Sequence, residues 1–299
     1  MQPSDLRRGR RPGMPDRLNA ICRNAYLIAH QENTLPLECT LQQQGFRLAV
    51  IRSRYTPEQQ ALATSERVLI NHAKAWQTIA ASGCHGLVME ADFVPVRQFG
   101  QLPLPVPAER LHSSFAYLYS VGIELWDLSD HGNCMRGHAG GMVAYAISDT
   151  VARTLLHFAQ EHQQRHRSGR YSSWDAELGY WLKDRGVDSY LPYRQYGEHG
   201  GTGNPEHAAA GLRATDHADA LAGPLCFLPA YANGNRLQFF WTRAMARLWG
   251  WGRLLAGRTL TWHNLRRTRP LAMGAFAVGR LLTPPRLEHL NLSGPSVRA

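Results

Sequence analysis

The sequence lacks any pattern of cysteines. Its 299 residues include five cysteines, an odd number, and no two of them have CxxC spacing. This excludes a disulfide framework like those of small secreted domains, and it excludes a cysteine zinc cluster. The histidines form no HExxH motif, so no zinc-protease helix is predicted. These absences favour a reducing, cytoplasmic compartment; the cysteines are Cys22, Cys39, Cys84, Cys134 and Cys226.

Long apolar runs are also missing. No uninterrupted stretch approaches the ~18 residues of a membrane-spanning helix, and the best candidate, 271–278, is followed by Gly279 and Arg280. The N-terminal stretch MQPSDLRRGRRPGMPDR runs into LNAICRNAY, which has no apolar core, so we expect no cleaved signal peptide. We predict that residues 1–22 form a flexible basic arm.

Short apolar segments alternate with helical patterns in the middle of the chain. AYLIAH, FRLAVIR, GLVMEAD and, as the last strand, VDSYLPY have the composition of strands. Between them, SERVLINHAKAWQTIAASG predicts a helix with Ser65 as its N-cap and Gly83 as its stop, and Asp149 is expected to cap a later helix. We therefore predict an α/β domain over residues 23–230, with a mainly parallel, Rossmann-like sheet flanked by helices.

The positive charge is concentrated in the C-terminal segment, residues 231–299. The chain has a net charge of +10, and the residues from Arg236 onward contain eleven arginines and one acid. Arginine alternates there with tryptophan, phenylalanine and leucine. We predict a mostly helical segment that lies on an anionic membrane surface, on the inner face of the cell membrane. Two alternatives remain: nucleic-acid binding, and simple packing on the preceding domain.

The segment GLVMEADFVP places two carboxylates at the end of an apolar strand. Residues i and i+2 of a strand share a face, so Glu90 and Asp92 project together. Ligands of open α/β sheets bind beyond the carboxyl ends of the strands, where this pair lies. Two carboxylates suit a hard cation such as Mg²⁺ or Mn²⁺. The alternative is that both acids only cap or solubilise the strand end.

This order of elements resembles the core of family 25 glycosyltransferases, the lipooligosaccharide biosynthesis type, which have a GT-A fold. In that family a helix with a Ser-His pair leads to an apolar strand ending in Glu-Asp-Asp. Here Asn71 and His72 occupy the Ser-His position, and Ala91 replaces the middle aspartate. AGGMVAYAISDTVARTLL and WDAELGYWL are also similar to family segments, and the resemblance covers residues 24–196.

The resemblance implies metal-dependent transfer of a sugar, with inversion, from a nucleotide-diphosphate donor, UDP-sugar above all, to a hydroxyl of a lipopolysaccharide-type or lipid-linked glycan. Asp92 and Glu90 would hold the metal and the donor, and His72 is a further substrate-site candidate. GT-A enzymes often complete the metal shell with a late histidine. His199, in the glycine-rich segment GEHGGTGNPEH, is the candidate here, although a surface loop is the alternative.

An inverting transferase also needs a base near the acceptor hydroxyl. Asp175 is the first candidate and Glu177 the second, the alternative being that Asp175 only caps its helix. Family arginines that follow the first strand are absent from IAHQENTLPLE. Together with Ala91, this departure favours a second hypothesis, a non-catalytic, membrane-associated scaffold with the same fold. A nucleic-acid-binding protein is the third.

Overall fold

The computed structural model describes residues 17–126, 134–166, 171–202, 216–252, Leu271 and Gly274. These residues form ten strands and seven α-helices. The strands are β1 (Asn24–Ala29), β2 (Arg47–Arg52), β3 (Gly86–Glu90), β4 (Phe93–Pro95), β5 (Ser114–Tyr117), β6 (Val121–Leu125), β7 (Cys134–Gly140), β8 (Ala144–Ile147), β9 (Asp188–Pro192) and β10 (Gly197–His199). The helices are α1 (Leu18–Ile21), α2 (Leu35–Gln43), α3 (Pro57–Gln60), α4 (Thr64–Ser82), α5 (Asp149–Arg165), α6 (Trp174–Asp184) and α7 (Arg236–Gly252).

Eight strands form one sheet in the order β2-β1-β3-β8-β5-β9-β7-β6. β1 pairs in parallel with β2 and β3, and β5 pairs in parallel with β9, whereas β7 and β8 run antiparallel to their neighbours. Six of the eight strands therefore point in the same direction. The prediction of an α/β protein with a mainly parallel sheet is confirmed, with two reversed strands that the sequence pattern did not indicate.

The sheet is covered on both faces, and β3 shows how alternation achieves this. Val88 belongs to an apolar cluster with α4, α5 and α6, whereas Leu87 and Met89 belong to a second cluster with α1 and α2. All three side chains are fully buried. A strand buried on both faces must be apolar at successive positions. This explains the continuous GLVM run, and it makes a charged residue at its end conspicuous.

Two predicted helix starts are wrong by one or two residues. Ala63 is the N-cap of α4, and the Ser65 hydroxyl instead accepts a hydrogen bond from the Ser172 amide. Ser148 caps α5 by accepting from the Val151 amide. Serine hydroxyls and carboxylates cap helices equally well, so sequence alone does not choose between neighbouring candidates. The predicted stop at Gly83 is confirmed, with φ of +66° in the left-handed region.

The predicted flexible arm ends before residue 22. Residues 1–16 lie outside the described part of the chain, but Leu18 and Cys22 are fully buried in the core around α2. A helical turn, α1, joins them. Leucine and cysteine are among the residue types most often buried, and the tract LNAIC has too few charges for a solvated arm.

Helix α7 belongs to the predicted C-terminal segment. The buried Arg243 donates hydrogen bonds to the Glu198 carboxylate and to the Ala218 carbonyl of the preceding domain. Apart from Leu271 and Gly274, residues 253–299 lie outside the described part of the chain. The helical prediction for those residues therefore stays a prediction. Among the described residues, no helix combines the length and the apolar character that crossing a membrane requires.

Candidate active site at the end of strand β3

The backbone fixes Glu90 and Asp92 at the carboxyl edge of the sheet. Glu90 is the last residue of β3, and its amide donates to the Val143 carbonyl at 2.8 Å. The next amide, of Ala91, donates to the Ile28 carbonyl of β1 at 2.9 Å. Neighbouring chain segments thus hold the turn after β3 on both sides. Both acidic side chains are about one quarter exposed, at 25% for Glu90 and 29% for Asp92.

A small second sheet brings His199 to this pair. β10 pairs antiparallel with β4 so that His199 lies opposite Phe93, the residue that follows Asp92. The His199 Nε2 and Asp92 Oδ2 atoms are 3.0 Å apart. One potential ligand atom from each of Glu90, Asp92 and His199 lies within 4.8 Å of the other two. The structure therefore brings all three predicted metal ligands together.

Glycine is required beside this cluster. The Gly200 amide donates to the Asp92 carbonyl at 2.8 Å, which holds the two segments at backbone distance. A Cβ atom at Gly201 would lie 2.3 Å from Asp92 Oδ2, so a larger residue there would displace the carboxylate from its present position. The glycines of GEHGG therefore keep space open around the carboxylate, a role that residues with side chains cannot perform.

The cluster carries excess negative charge. Burial disfavours protonation of His199, but the attraction and hydrogen bond of Asp92, with Glu90 and Glu198 nearby, raise the pKa of the imidazole to about 9. Asp92 Oδ1 is buried and has no hydrogen-bond partner among the described residues. A divalent cation would satisfy this oxygen and offset the carboxylate charges. Two carboxylates and one imidazole are a suitable donor set for Mn²⁺ or Mg²⁺.

His72 holds Glu90 from inside the core. Its Nε2 atom lies 3.4 Å from Glu90 Oε1, and its Nδ1 atom lies 2.8 Å from the Tyr145 hydroxyl, which also accepts from Trp76. His72 is fully buried. It was predicted as a substrate-site residue, but burial leaves it able to act on a ligand only through Glu90. Tyr145 completes this network and was not singled out from the sequence.

A cavity of about 250 Å³ lies next to the acidic pair, at the ends of β1 and β3. It is also lined by Tyr55, Thr64 and Arg67, which sequence reasoning missed, and by Asn71, which the sequence placed with His72 at the Ser-His position. Asn71 is nearly buried and donates to the Tyr55 hydroxyl at 2.7 Å, while its Oδ1 atom has no hydrogen-bond partner within the described ranges. Arg67, from the first turn of α4, therefore gives this cavity an arginine that the segment after β1 does not supply.

The two candidate bases have different surroundings. Asp175, in the first turn of α6, accepts from the Gly141 and Ala176 amides, each at 3.0 Å. Its neighbour Trp174 packs on His72 with ring centroids 5.3 Å apart, which places the start of α6 on the same side as the acidic cluster. Glu177 instead faces the end of α5, with its carboxylate 3.6 Å from Arg165.

Comparisons with known proteins give little further information. No protein-family model matches the chain, and no curated protein matches it. Among solved structures, the chain is similar to one described as a glycosyltransferase involved in the glycosylation of the major capsid of PBCV-1. That match has a TM-score of 0.38 and 9% identity, and it covers 58% of this chain and 82% of the other. This likeness is too low to carry a functional argument.

Proposed function

We propose that this protein is a metal-dependent, inverting glycosyltransferase. It moves a sugar from a nucleotide-diphosphate donor, a UDP-sugar, to a hydroxyl of a lipopolysaccharide-type cell-envelope glycan. The observation that carries the proposal is the convergence of Glu90, Asp92 and His199 beside a cavity at the carboxyl ends of β1 and β3. The resemblance of the β3 region to family 25 glycosyltransferases supplies the reaction class.

The three clustered residues are the groups that hold Mn²⁺ or Mg²⁺. When bound, the cation neutralises charge that develops on the departing diphosphate. His72 positions Glu90 through the 3.4 Å contact, and the Tyr145 hydroxyl fixes the orientation of that imidazole. Ala91 interrupts the acidic run, but it contributes only its backbone amide to the turn. A third carboxylate is therefore not needed to form the cluster.

The cavity beside the cluster is the place for the nucleoside part of the donor. Its ~250 Å³ is close to the lower end of small-molecule pockets. The Asn71 amide oxygen can accept a hydrogen bond there, and Tyr55 supplies an aromatic face. Arg67 supplies positive charge. The sugar and the acceptor then occupy the side towards α6.

Asp175 is the base that we assign to the acceptor hydroxyl. Two amides donate to its carboxylate, one to each oxygen. Each oxygen keeps a lone pair that can accept the proton of an incoming hydroxyl. The same two bonds fix the side chain in one orientation, as general-base catalysis requires.

Thermal unfolding with a panel of nucleoside diphosphates and Mn²⁺ tests this proposal. We expect UDP with Mn²⁺ to stabilise the protein, by ~2.7 kcal/mol at 100 times the dissociation constant. The stabilisation should disappear in Asp92→Asn and persist in the matched control Glu58→Gln, whose carboxylate is exposed and does not line the cavity. If no nucleotide stabilises the wild-type protein, the non-catalytic scaffold becomes the better hypothesis.

We also propose that α7 attaches the enzyme to the inner face of the cell membrane. Arg243 faces the domain, whereas four large apolar side chains of α7 are 64–79% exposed and follow one another at helical spacing: Leu237, Phe240, Trp241 and Leu248. Such a stripe, with arginines on the same helix, suits the interface of an anionic bilayer. This location would bring the enzyme to a lipid-linked acceptor.

Flotation with phosphatidylglycerol-containing vesicles tests the attachment. The double variant Phe240→Glu and Trp241→Glu should lose flotation, because charged side chains cannot enter the acyl boundary. The charge-matched control Gln163→Glu and Gln164→Glu, at exposed positions of α5, should float like the wild type. Equal flotation of all three proteins would remove the membrane proposal.

A further inference from the structure

A second group of metal-ligating side chains lies where α5 meets α6. His162 is in the last turn of α5, His166 is the residue that ends this helix, and Glu177 is in the first turn of α6. Residues four apart share a helix face, and the two imidazole rings stack with centroids 4.3 Å apart. One ligand atom from each of the three residues lies within 4.8 Å of the other two.

The buried histidine of this group has a ring nitrogen that is aimed at the cluster and unused. His162 is fully buried, and its Nε2 atom lies 3.0 Å from Glu66 Oε1 and 3.1 Å from the Ser172 hydroxyl. An ionised carboxylate only accepts hydrogen bonds, so Nε2 carries the proton and Nδ1 presents its lone pair. Nδ1 has no hydrogen-bond partner in the described part of the chain, and Glu177 Oε2 is 4.0 Å away.

This arrangement matches the way proteins prepare a histidine ligand. A metal-bound imidazole usually donates its other N–H to a carboxylate, which fixes the tautomer and the ring orientation. Glu66 supplies that carboxylate to His162. Leaving a buried ring nitrogen without a hydrogen-bond partner is destabilising. A bound cation would satisfy the Nδ1 atom. A histidine with only a structural role has no need to leave this nitrogen without a partner.

The distances fit a small transition-metal ion after closure and a rotation of the His166 ring. Glu177 Oε2 is 4.0 Å from His162 Nδ1, and Glu177 Oε1 is 4.0 Å from His166 Nε2. Ligands of a tetrahedral zinc ion at about 2.0–2.1 Å are roughly 3.4 Å from one another. The His166 ring must turn out of its stack on His162 to aim its lone pair at a shared ion, and the side chains of His166 and Glu177 can move because they are partly exposed, at 37% and 42%. The solvent side is open to a fourth ligand.

We propose that His162, His166 and Glu177 bind one Zn²⁺ ion that links the end of α5 to the start of α6. Two imidazoles and one carboxylate are a donor set that zinc commonly uses. The site is separate from the β3 cluster and does not depend on the proposed transferase activity. The ion would use Glu177, the second candidate base, as a ligand. It would thereby anchor the helix turn that carries Asp175.

Zinc titration of untagged protein in competition with a chromogenic chelator tests the site. The parent protein carries Asp92→Asn, so that the β3 cluster does not contribute. We expect one saturable equivalent of Zn²⁺, and an affinity at least ~10-fold weaker in His166→Ala and in Glu177→Gln. His157→Ala is the matched control, because His157 is an exposed histidine of the same helix, and it should bind like the parent.

Two further measurements separate ligation from folding. Arg165, 3.6 Å from Glu177, competes for its carboxylate, so Arg165→Gln should bind Zn²⁺ at least as tightly as the parent. The Co²⁺ form should show the visible absorption of a four-coordinate ion, and His166→Ala should lose it. The proposal is overturned if the parent binds no saturable Zn²⁺, or if His166→Ala and Glu177→Gln bind it as tightly as His157→Ala.

Discussion

Acid should destabilise this fold through one buried histidine, His138 of β7. Burial lowers the pKa of His138 from 6.5 to about 4, although Glu124 and the Ala176 backbone act in the opposite direction. The imidazole lies between Tyr117, whose hydroxyl is 3.2 Å from Nδ1, and the ring of Tyr180. The folded protein therefore holds this side chain neutral where the unfolded chain would protonate it.

The sign and the size of the effect follow from these two pKa values. Between pH 6.5 and about 4 the unfolded chain binds a proton that the folded protein does not, so stability falls as the pH falls. Above pH 6.5 both states are neutral, and the contribution to stability is fully present. The full difference in pKa corresponds to about 3 kcal/mol, and roughly 2 kcal/mol of it is lost by about pH 4.5.

Urea denaturation at about pH 7 and about pH 4.5, with chelator present, measures this loss. His138→Gln remains neutral at both pH values, so its stability should change by about 2 kcal/mol less than that of the wild type. The comparison cancels the titration of carboxylates that both proteins share. If both proteins lose equal stability between the two pH values, His138 is either protonated in the folded state or accessible to water, and the reasoning is wrong.

Two further predictions concern backbone space and buried charge. Gly201→Ala should abolish Mn²⁺ binding measured by calorimetry, because the new methyl group would displace the Asp92 carboxylate, whereas Gly140→Ala, where the nearest atom is 3.8 Å away, should bind normally. Arg243→Met should destabilise the protein by about 3–5 kcal/mol in urea denaturation, because it removes the arginine from the fully buried Glu198 carboxylate and leaves only His217, 3.5 Å away, as a possible ion-pair partner. A loss below about 1 kcal/mol would contradict this reasoning.

Local patterns identified most elements of the first half of the fold. The α4 prediction succeeded because a sustained apolar face and a terminal glycine are both local signals. Strand direction is not local, and this is why the reversal of β7 and β8 was missed. β10 was missed for another reason. It has three residues, GEH, in a glycine-rich segment that follows the predicted last strand VDSYLPY, so neither length nor alternation marks it.

The candidate site also contains one part that follows from local sequence and one part that depends on long-range strand pairing. Glu90 and Asp92 could be placed together from the period of a strand, because only one residue separates them in the sequence. The 3.0 Å contact between His199 and Asp92 spans 107 residues and depends on the pairing of β10 with β4. Residue type and family likeness suggested His199, but only the register of that two-stranded sheet determines that its imidazole faces the carboxylate. A register shift of one residue would turn the side chain to the opposite face, so the proposed metal site depends on three weakly patterned residues.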